Sequence, residues 1–256
     1  MKHQIRRLRT LCQSLFALFC LYTGFRFYSF YLWALEPTAN PFVPRPPAVE
    51  AFLPLGALVS LKRLLLGAEF DTIHPAGLTI FIAALLISLL LRKGFCGWIC
   101  PIGFASHLAE RAGRKAGISF TLPAWLDIPL LGLKYLLLGF FSYLILWKMD
   151  LQGLTAFHNS PYNVISDAKM LHFFLEPSIL AASIMGGIVL ISFFLRNFWC
   201  RYLCPYGGLL GLLALFSPFQ VRREEDNCID CGKCDRICPS AIVVSRKKSV
   251  RTAECI

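Results

Sequence analysis

ISLLLRKGFCGWICPIG (residues 87–103) and ISFFLRNFWCRYLCPYG (residues 191–207) repeat one pattern at an offset of 104 residues. Each is an apolar run closed by an arginine and followed by a CxxxCP motif, Cys96 to Pro101 in the first copy and Cys200 to Pro205 in the second. A weaker match, at an offset of 107, sets PLGALVSLKRLL (54–65) against PYNVISDAKMLH (161–172) and pairs Pro54 with Pro161 and Lys62 with Lys169. The chain therefore reads as two halves. Each half is a span, an outer loop with a short amphipathic or re-entrant helix, a second span and a CxxxCP motif. Both halves run in the same direction, so the repeat is parallel, with its axis along the membrane normal.

The apolar runs justify the word span. The chain has 256 residues, 56% of them hydrophobic, with 22 Phe and a mean hydropathy of +0.59, and crossing a bilayer takes about 20 apolar residues. Four candidates meet or approach that length: Leu11 to Trp33, Pro75 to Leu91, Pro129 to Trp147 and Ser178 to Leu195. The first lacks a small-residue cleavage site and contains Tyr22, Arg26 and Tyr28, so it reads as an uncleaved span, not a signal peptide. Arg26 and Lys134, the cations inside spans, are expected to snorkel to the nearer interface. The predicted fold is an all-α polytopic membrane protein of about four transmembrane helices in two parallel repeats. Its membrane domain covers 1–220, with repeat one at about 1–115 and repeat two at about 116–220.

Charge sets the orientation, because Lys and Arg flanking spans are retained on the cytoplasmic side. The N-terminal segment (Lys2, Arg6, Arg7, Arg9), the loop from Arg92 to Asp127 and the tail from Arg196 hold nineteen of the 26 basic residues, against five in the two outer loops. Those outer loops carry seven acids: Glu36, Glu50, Glu69, Asp71, Asp150, Asp167 and Glu176. The net charge of +11 is then a topology signal, and nucleic-acid binding is rejected. The reading places a multi-pass protein in the bacterial inner membrane with both termini cytoplasmic, where thiols stay reduced and available to metal.

NCIDCGKCDRICPS (227–240) sets Cys228, Cys231, Cys234 and Cys238 in the CxxCxxCxxxCP spacing that wraps a 4Fe-4S cube. Gly232 supplies the backbone freedom of the tight loop. Tetrahedral zinc takes its cysteines as pairs from two separate knuckles, which this run does not offer. Residues 221–256 thus read as a small, partial α+β ferredoxin-type 4Fe-4S tail. The CxxxCP cysteines are less determined. Spacing of four puts Cys96 with Cys100, and Cys200 with Cys204, on one helix face about 5–6 Å apart at Cβ, and the following proline is expected to end each helix. The four could hold a further iron-sulfur centre, act as a redox dithiol or simply pack. Cys12 and Cys20, alone in the first span, are assigned to packing.

The four spans, the two CxxxCP motifs and the following ferredoxin run resemble the membrane-bound polyferredoxins of the NapH, NosR and CcoG type, over essentially the whole chain. LDIPLLGLKYLLL (126–138), SPYNVISDAKML (160–171) and WCRYLCPYGGLLG (199–211) carry the likeness. The resemblance implies electron transfer through 4Fe-4S clusters, often from membrane quinol. In two-cluster ferredoxins the fourth cysteine of each run ligates the other cluster, and the family continues through a second run. Here Cys255 stands where that run would begin. The expectation is a truncated tail in which Cys228, Cys231 and Cys234 hold three corners of one cube and Cys238 and Cys255 are ligands left from a second.

The function expected first is an electron conduit from quinol to an unknown redox partner protein. An assembly or maturation factor for a membrane metalloenzyme, and a cluster-based sensor, are the alternatives. Quinol oxidation needs proton acceptors, and His74, His158, Tyr162, Asp167 and His172 are the candidates in the outer loops and span ends, against plain loop polarity. His107 is read as an ordinary helix residue. Gly186 and Gly187 offer small-residue packing within or between chains. Lys233, Arg236 and the run Arg246 to Lys248 form either a steering surface for an acidic partner or anionic lipid, or a solvated face. Paired histidines for haem are absent within any one span, and no nucleotide-phosphate loop, nucleophile triad or paired-carboxylate site is evident. The chain reads as an electron-transfer component more than a self-contained enzyme.

Overall fold

The computed structural model describes residues 2–67, 69–224 and 228–255; the side chains of Lys2, Arg6 and Arg236, used in the charge argument above, lie outside the described set. Helices dominate: α1 (Lys2–Leu35), α2 (Pro54–Leu65), α3 (Pro75–Leu91), α4 (Pro101–Lys115), α5 (Ala124–Tyr143), α6 (Leu151–His158), α7 (Pro161–Val164), α8 (Ser166–Leu175), α9 (Ile179–Phe194), α10 (Pro205–Leu213) and α11 (Lys233–Ile237). Strands β1 (Val221–Arg222) and β2 (Ser249–Val250) pair antiparallel, Val221 opposite Val250.

Each expected span forms a helix, but they differ in reach. Arg7–Leu35, 29 residues, and Trp125–Lys148, 24 residues, are long and apolar enough to cross a membrane. Helix α9 reaches that length only together with α8, and the two are bent by 81°. Helix α3 has 17 residues, about 26 Å at 1.5 Å per residue, short of a hydrocarbon core of about 30 Å. By length and composition, two to three helices qualify, against the expected four. Their flanks are consistent with lipid: Leu21, Ile128, Leu136 and Ile179 are all exposed, Ile179 at 91%.

The chain forms two compact units interleaved in sequence. One comprises Ala17–Ala83 and Gly139–Ala182, and its core is Val59, Ile145 and Leu154 with Leu58, Met149 and Phe157 packed around them. A π-helical turn, Leu144–Lys148, ends the long helix there. Lys62 of α2 donates to the carbonyls of Ile145 (3.0 Å), Leu146 (3.0 Å) and Met149, satisfying oxygens that a helix end leaves without partners.

The other unit holds the chain up to Phe16, Ala84–Leu138 and everything from Ser183. Here the repeats meet. Helix α4 of the first repeat approaches the end of α9 of the second at Gly113, where a Cβ would stand 1.9 Å from the Phe193 carbonyl. Phe120 N–H donates to the Phe194 carbonyl (2.9 Å) just beyond. Ser88 Oγ donates to the Leu210 carbonyl (2.6 Å) and Ser217 Oγ to that of Leu90 (2.8 Å), stitching α3 to α10 and the segment after it. Gly186 and Gly187 show no such approach; nothing among the described atoms lies within 4 Å of a Cβ at either.

The contrast gives a stability test. Gly113→Ala should lower the melting temperature of detergent-purified protein by the equivalent of about 1–3 kcal/mol, the range for forced overpacking. Gly186→Ala, which gains helix propensity in open space, should leave it unchanged or higher.

Candidate metal centre

Both CxxxC motifs are wound as π-helical turns, Phe95–Ile99 and Trp199–Leu203. The i→i+5 bonds run from Cys100 N–H to the Phe95 carbonyl (3.0 Å) and from Cys204 N–H to the Trp199 carbonyl (2.9 Å). The expectation of an α-helix stopped by proline is corrected on both points. Pro101 and Pro205 occupy the first position of α4 and α10, with Cys100 and Cys204 as the N-cap residues, the place where a missing N–H costs nothing. The second cysteine of each pair therefore sits at a helix start. Gly207 N–H donates to Cys204 Sγ at 3.2 Å, and Gly103 allows α4 to approach the turn, since a Cβ there would lie 2.6 Å from the Cys96 carbonyl oxygen.

The structure brings the four thiols together. Cys96 interacts electrostatically with Cys100 and Cys204, and Cys200 with Cys204, Cys100 and Cys96. Burial, with neighbouring cysteines adding, pushes the Cys96 thiol up to about 12 and Cys200 also upward. Tyr206 lies against three of the four, its ring edge-on to Phe95 at 6.0 Å, and Ser106 of α4 turns its buried hydroxyl to Cys200.

Around this quartet the charges do not balance without an anion. Lys93 is 3% exposed and Lys134 is 0% exposed; both act on Cys96 and Cys204. One carboxylate, Glu254, pairs with Lys134 and accepts from Tyr135 Oη at 2.7 Å. The sequence reading expected Lys134 to snorkel; instead its ammonium turns to the Glu254 carboxylate. Two buried lysines stand beside the quartet against one half-buried carboxylate among the described residues, an excess of basic groups that burial penalises. Four thiolates around a 4Fe-4S core bring net negative charge to that place, so the residues fit the group. Among the described residues no three His, Cys, Asp or Glu are gathered for a single metal ion.

Different clamps hold the two turns. The Gly97 carbonyl accepts from Arg9 Nε (2.9 Å) and Gln13 Nε2 (2.8 Å) of α1, and Arg9 also contacts His107 at 3.3 Å, a buried residue of helix α4. In the second turn Arg201 Nη2 donates to Asp127 at 2.6 Å, beside Tyr202 Oη at 2.5 Å from the same carboxylate. Gln13, Asp127 and Glu254 were given no role by the sequence; Arg9 and Lys93 were read only as topology charges, and Lys93 and Arg201 stood inside the repeated stretches.

The tail docks on the same unit. Arg92 donates to the carbonyls of Phe219 (3.2 Å), Val250 (3.4 Å) and Thr252 (2.9 Å), and Asn197 Nδ2 to that of Pro239 (2.9 Å). Gly232 takes the left-handed conformation, φ 62°, that the loop calls for. Cys234 lies in α11 and Cys238 caps its C-terminal end, one turn on, and Cys238 is in electrostatic reach of Cys255, whose thiol burial raises. Cys231 and Cys234 are exposed, and Cys228 Sγ lies 3.3 Å from Arg223.

The comparisons fall on this geometry. The family Fer4_5, described as a 4Fe-4S binding domain, matches residues 73–119 and 178–223, the segments that contain the two CxxxCP motifs. YccM of Escherichia coli (strain K12), named as a candidate electron transport protein, is 43% identical over 92% of this chain and 66% of its own length. The methylamine utilization ferredoxin-type protein MauN of Methylobacillus flagellatus is 26% identical over 80% of this chain and 66% of its own, and NirI of Paracoccus denitrificans is 30% identical over 70% of this chain and 26% of its own. The chain belongs to the membrane-associated, ferredoxin-type 4Fe-4S family. Its cofactor is a 4Fe-4S cluster. The chain spans just under two thirds of YccM and MauN, and no solved structure matches it.

This family member has a second buried polar cluster, in the unit that holds α2. Asp71, His74, His158 and Asp167 are brought together there, with Glu50 and Arg45, which the sequence reading had not named among the acceptors. His74 Nε2 donates to the Asn163 carbonyl (2.8 Å), Arg45 lies 2.9 Å from His74 Nδ1 and 2.7 Å from Asp167, and His158 lies 3.9 Å from Asp71. Tyr162 is exposed, and His172 is exposed beside Glu176, so neither joins. Burial opposes charge on Asp71, but the His74 and Ile73 N–H groups and the Ser60 hydroxyl outweigh it and hold its carboxyl below the usual range. Burial likewise opposes charge on His74, and hydrogen bonds to Glu50 and Asn163 raise it nonetheless.

These directions fix a pH dependence by linkage. The Asp71 contribution is complete above its unfolded value and is lost as pH falls through the depressed folded value. That of His74 is present below its unfolded value and lost as pH rises through the raised one. Thermal unfolding scanned against pH should show both limbs, with Asp71→Asn flattening the acid limb and His74→Gln the neutral-to-alkaline one.

Proposed function

We propose that the protein passes electrons from membrane quinol to a redox partner protein through iron-sulfur centres at the cytoplasmic edge of the bacterial inner membrane. The proposed topology has four spans, the two shorter helices completing it, with both termini cytoplasmic. It comprises a two-repeat membrane domain, 1–220, and a ferredoxin-type segment, 221–256. The observation that carries the reading is the half-buried quartet Cys96, Cys100, Cys200 and Cys204 beside two buried lysines, on the segments matched by the 4Fe-4S domain family. The printed names of YccM and MauN, electron transport and ferredoxin-type, agree with it.

A bound 4Fe-4S centre supplies one-electron storage. The chain's own residues do the rest. The quartet would hold one centre; Cys228, Cys231 and Cys234 would supply ligands to a second, and Cys238 with Cys255 to a third. Quinol oxidation releases two electrons and two protons. Asp71, His74 and His158 are the buried groups suited to take protons, and the electrons leave singly through the centres to the partner.

Iron and acid-labile sulfide content, with EPR after dithionite reduction, test the assignment on anaerobically purified protein. The expected result is a signal that survives Cys228→Ser with Cys231→Ser and disappears in Cys96→Ser with Cys200→Ser. A signal indifferent to Cys96 and Cys200 removes the quartet from the pathway. Steady oxidation of a quinol analogue then separates a conduit from a maturation factor, which need not turn over quinol.

A further inference from the structure

Lys93 lies where three segments converge. A methyl group at Gly211 of α10 would stand 2.8 Å from Lys93 Cε and 2.5 Å from the Ala253 carbonyl of the tail, so the lysine stem is wedged between the second repeat and the docked tail. Its ammonium is buried. On one side it acts on Cys96 and Cys204 of the quartet, and on the other on Cys255, which is coupled to Cys238. Glu254, next to Cys255 in the chain, reaches to the Lys134 ammonium and also feels Lys93. Glu254 thus stands between the two lysines, at hydrogen-bond range of Lys134 and in electrostatic reach of Lys93, and Lys93 in turn faces both cysteine sets.

We propose that Lys93 is the shared counter-cation of two adjacent iron-sulfur sites, the CxxxCP quartet and the site ligated by Cys238 and Cys255, and that it sets the reduction potential of the quartet's centre. Lys93 carries no electron. Reduction adds one negative charge to a centre that is already anionic, and a fixed cation in low dielectric stabilises the reduced form more than the oxidised form. The potential of the quartet's centre is thus held up where an electron entering from the membrane side is retained. Because the same charge faces Cys255, a tail that docks correctly and a quartet that reduces readily depend on one side chain.

The inference rests on the quartet holding a cluster, and potentiometric titration followed by EPR on the full chain keeps the two apart: a wild-type chain without a quartet-dependent signal defeats that underlying reading before Lys93 is in question. With the signal present, Lys93→Met and Lys93→Gln should each shift the reduction equilibrium of the quartet's centre about tenfold toward the oxidised form, about 59 mV downward for a one-electron couple. Lys93→Arg should restore the wild-type midpoint, and the signal that depends on Cys228 and Cys231 should not move. Loss of quartet iron in both neutral variants with retention in Lys93→Arg also supports the counter-charge. An unchanged midpoint in the neutral variants at full iron content overturns the proposal, and so does loss of iron from all three variants, which assigns Lys93 to packing.

Discussion

Burying charge at the edge of an apolar bundle is the constraint on which the rest of this structure depends. The thiols of Cys96 and Cys200 are pushed up by burial, and two buried lysines, Lys93 and Lys134, lie beside them with the Glu254 carboxylate between. Metal binding reverses this, since ligation requires thiolates and releases protons. Assembly of the centre and neutralisation of the two lysines are then one event. Glu254 makes that event depend on the tail, because the carboxylate that satisfies Lys134 arrives only when residues 252–255 lie against α5 and α10.

Besides the Glu254 carboxylate, the tail is held through its main chain. Arg92 and Asn197 bond to main-chain carbonyls of Phe219, Val250, Thr252 and Pro239, and both clamp residues sit at positive φ, 59° and 48°. That conformation suits Asn and is uncommon for Arg. In each repeat it is the break that ends the apolar helix and turns the chain into the π-helical cysteine turn. The same break that positions the cysteines therefore aims a side chain at the tail.

Much of this was legible in sequence because it follows from local pattern. The 104-residue repeat, the apolar runs and the left-handed Gly232 are statements about neighbours along the chain. The CxxxC turns were misread because spacing of four fits an α-helix and a π-turn about equally; only the hydrogen-bond partner, Phe95 for Cys100, distinguishes them. Lys134 was misread for another reason. Snorkelling is the default for a lone cation in a span, and its actual partner lies 120 residues away in a tail whose docking no local rule foretells. Span length failed where the chain bends, as between α8 and α9.

The two repeats share a backbone but not its supports. Gly97 leaves its carbonyl open to Arg9 and Gln13, so a guanidinium is held beside the first cysteine turn with no carboxylate partner in that hydrogen-bond set. Arg201 occupies the matching position of the second turn, and Asp127 and Tyr202 bind and offset it. Lysines reach the quartet from both repeats, Lys93 from the first and Lys134 from the second, and the carboxylate that pairs with Lys134 comes from the tail. A duplicated scaffold that began symmetric would hold a centre equally from both sides. This one differs at the turns themselves, the first clamped by Arg9 and Gln13 of α1 and the second by Asp127 of its own repeat.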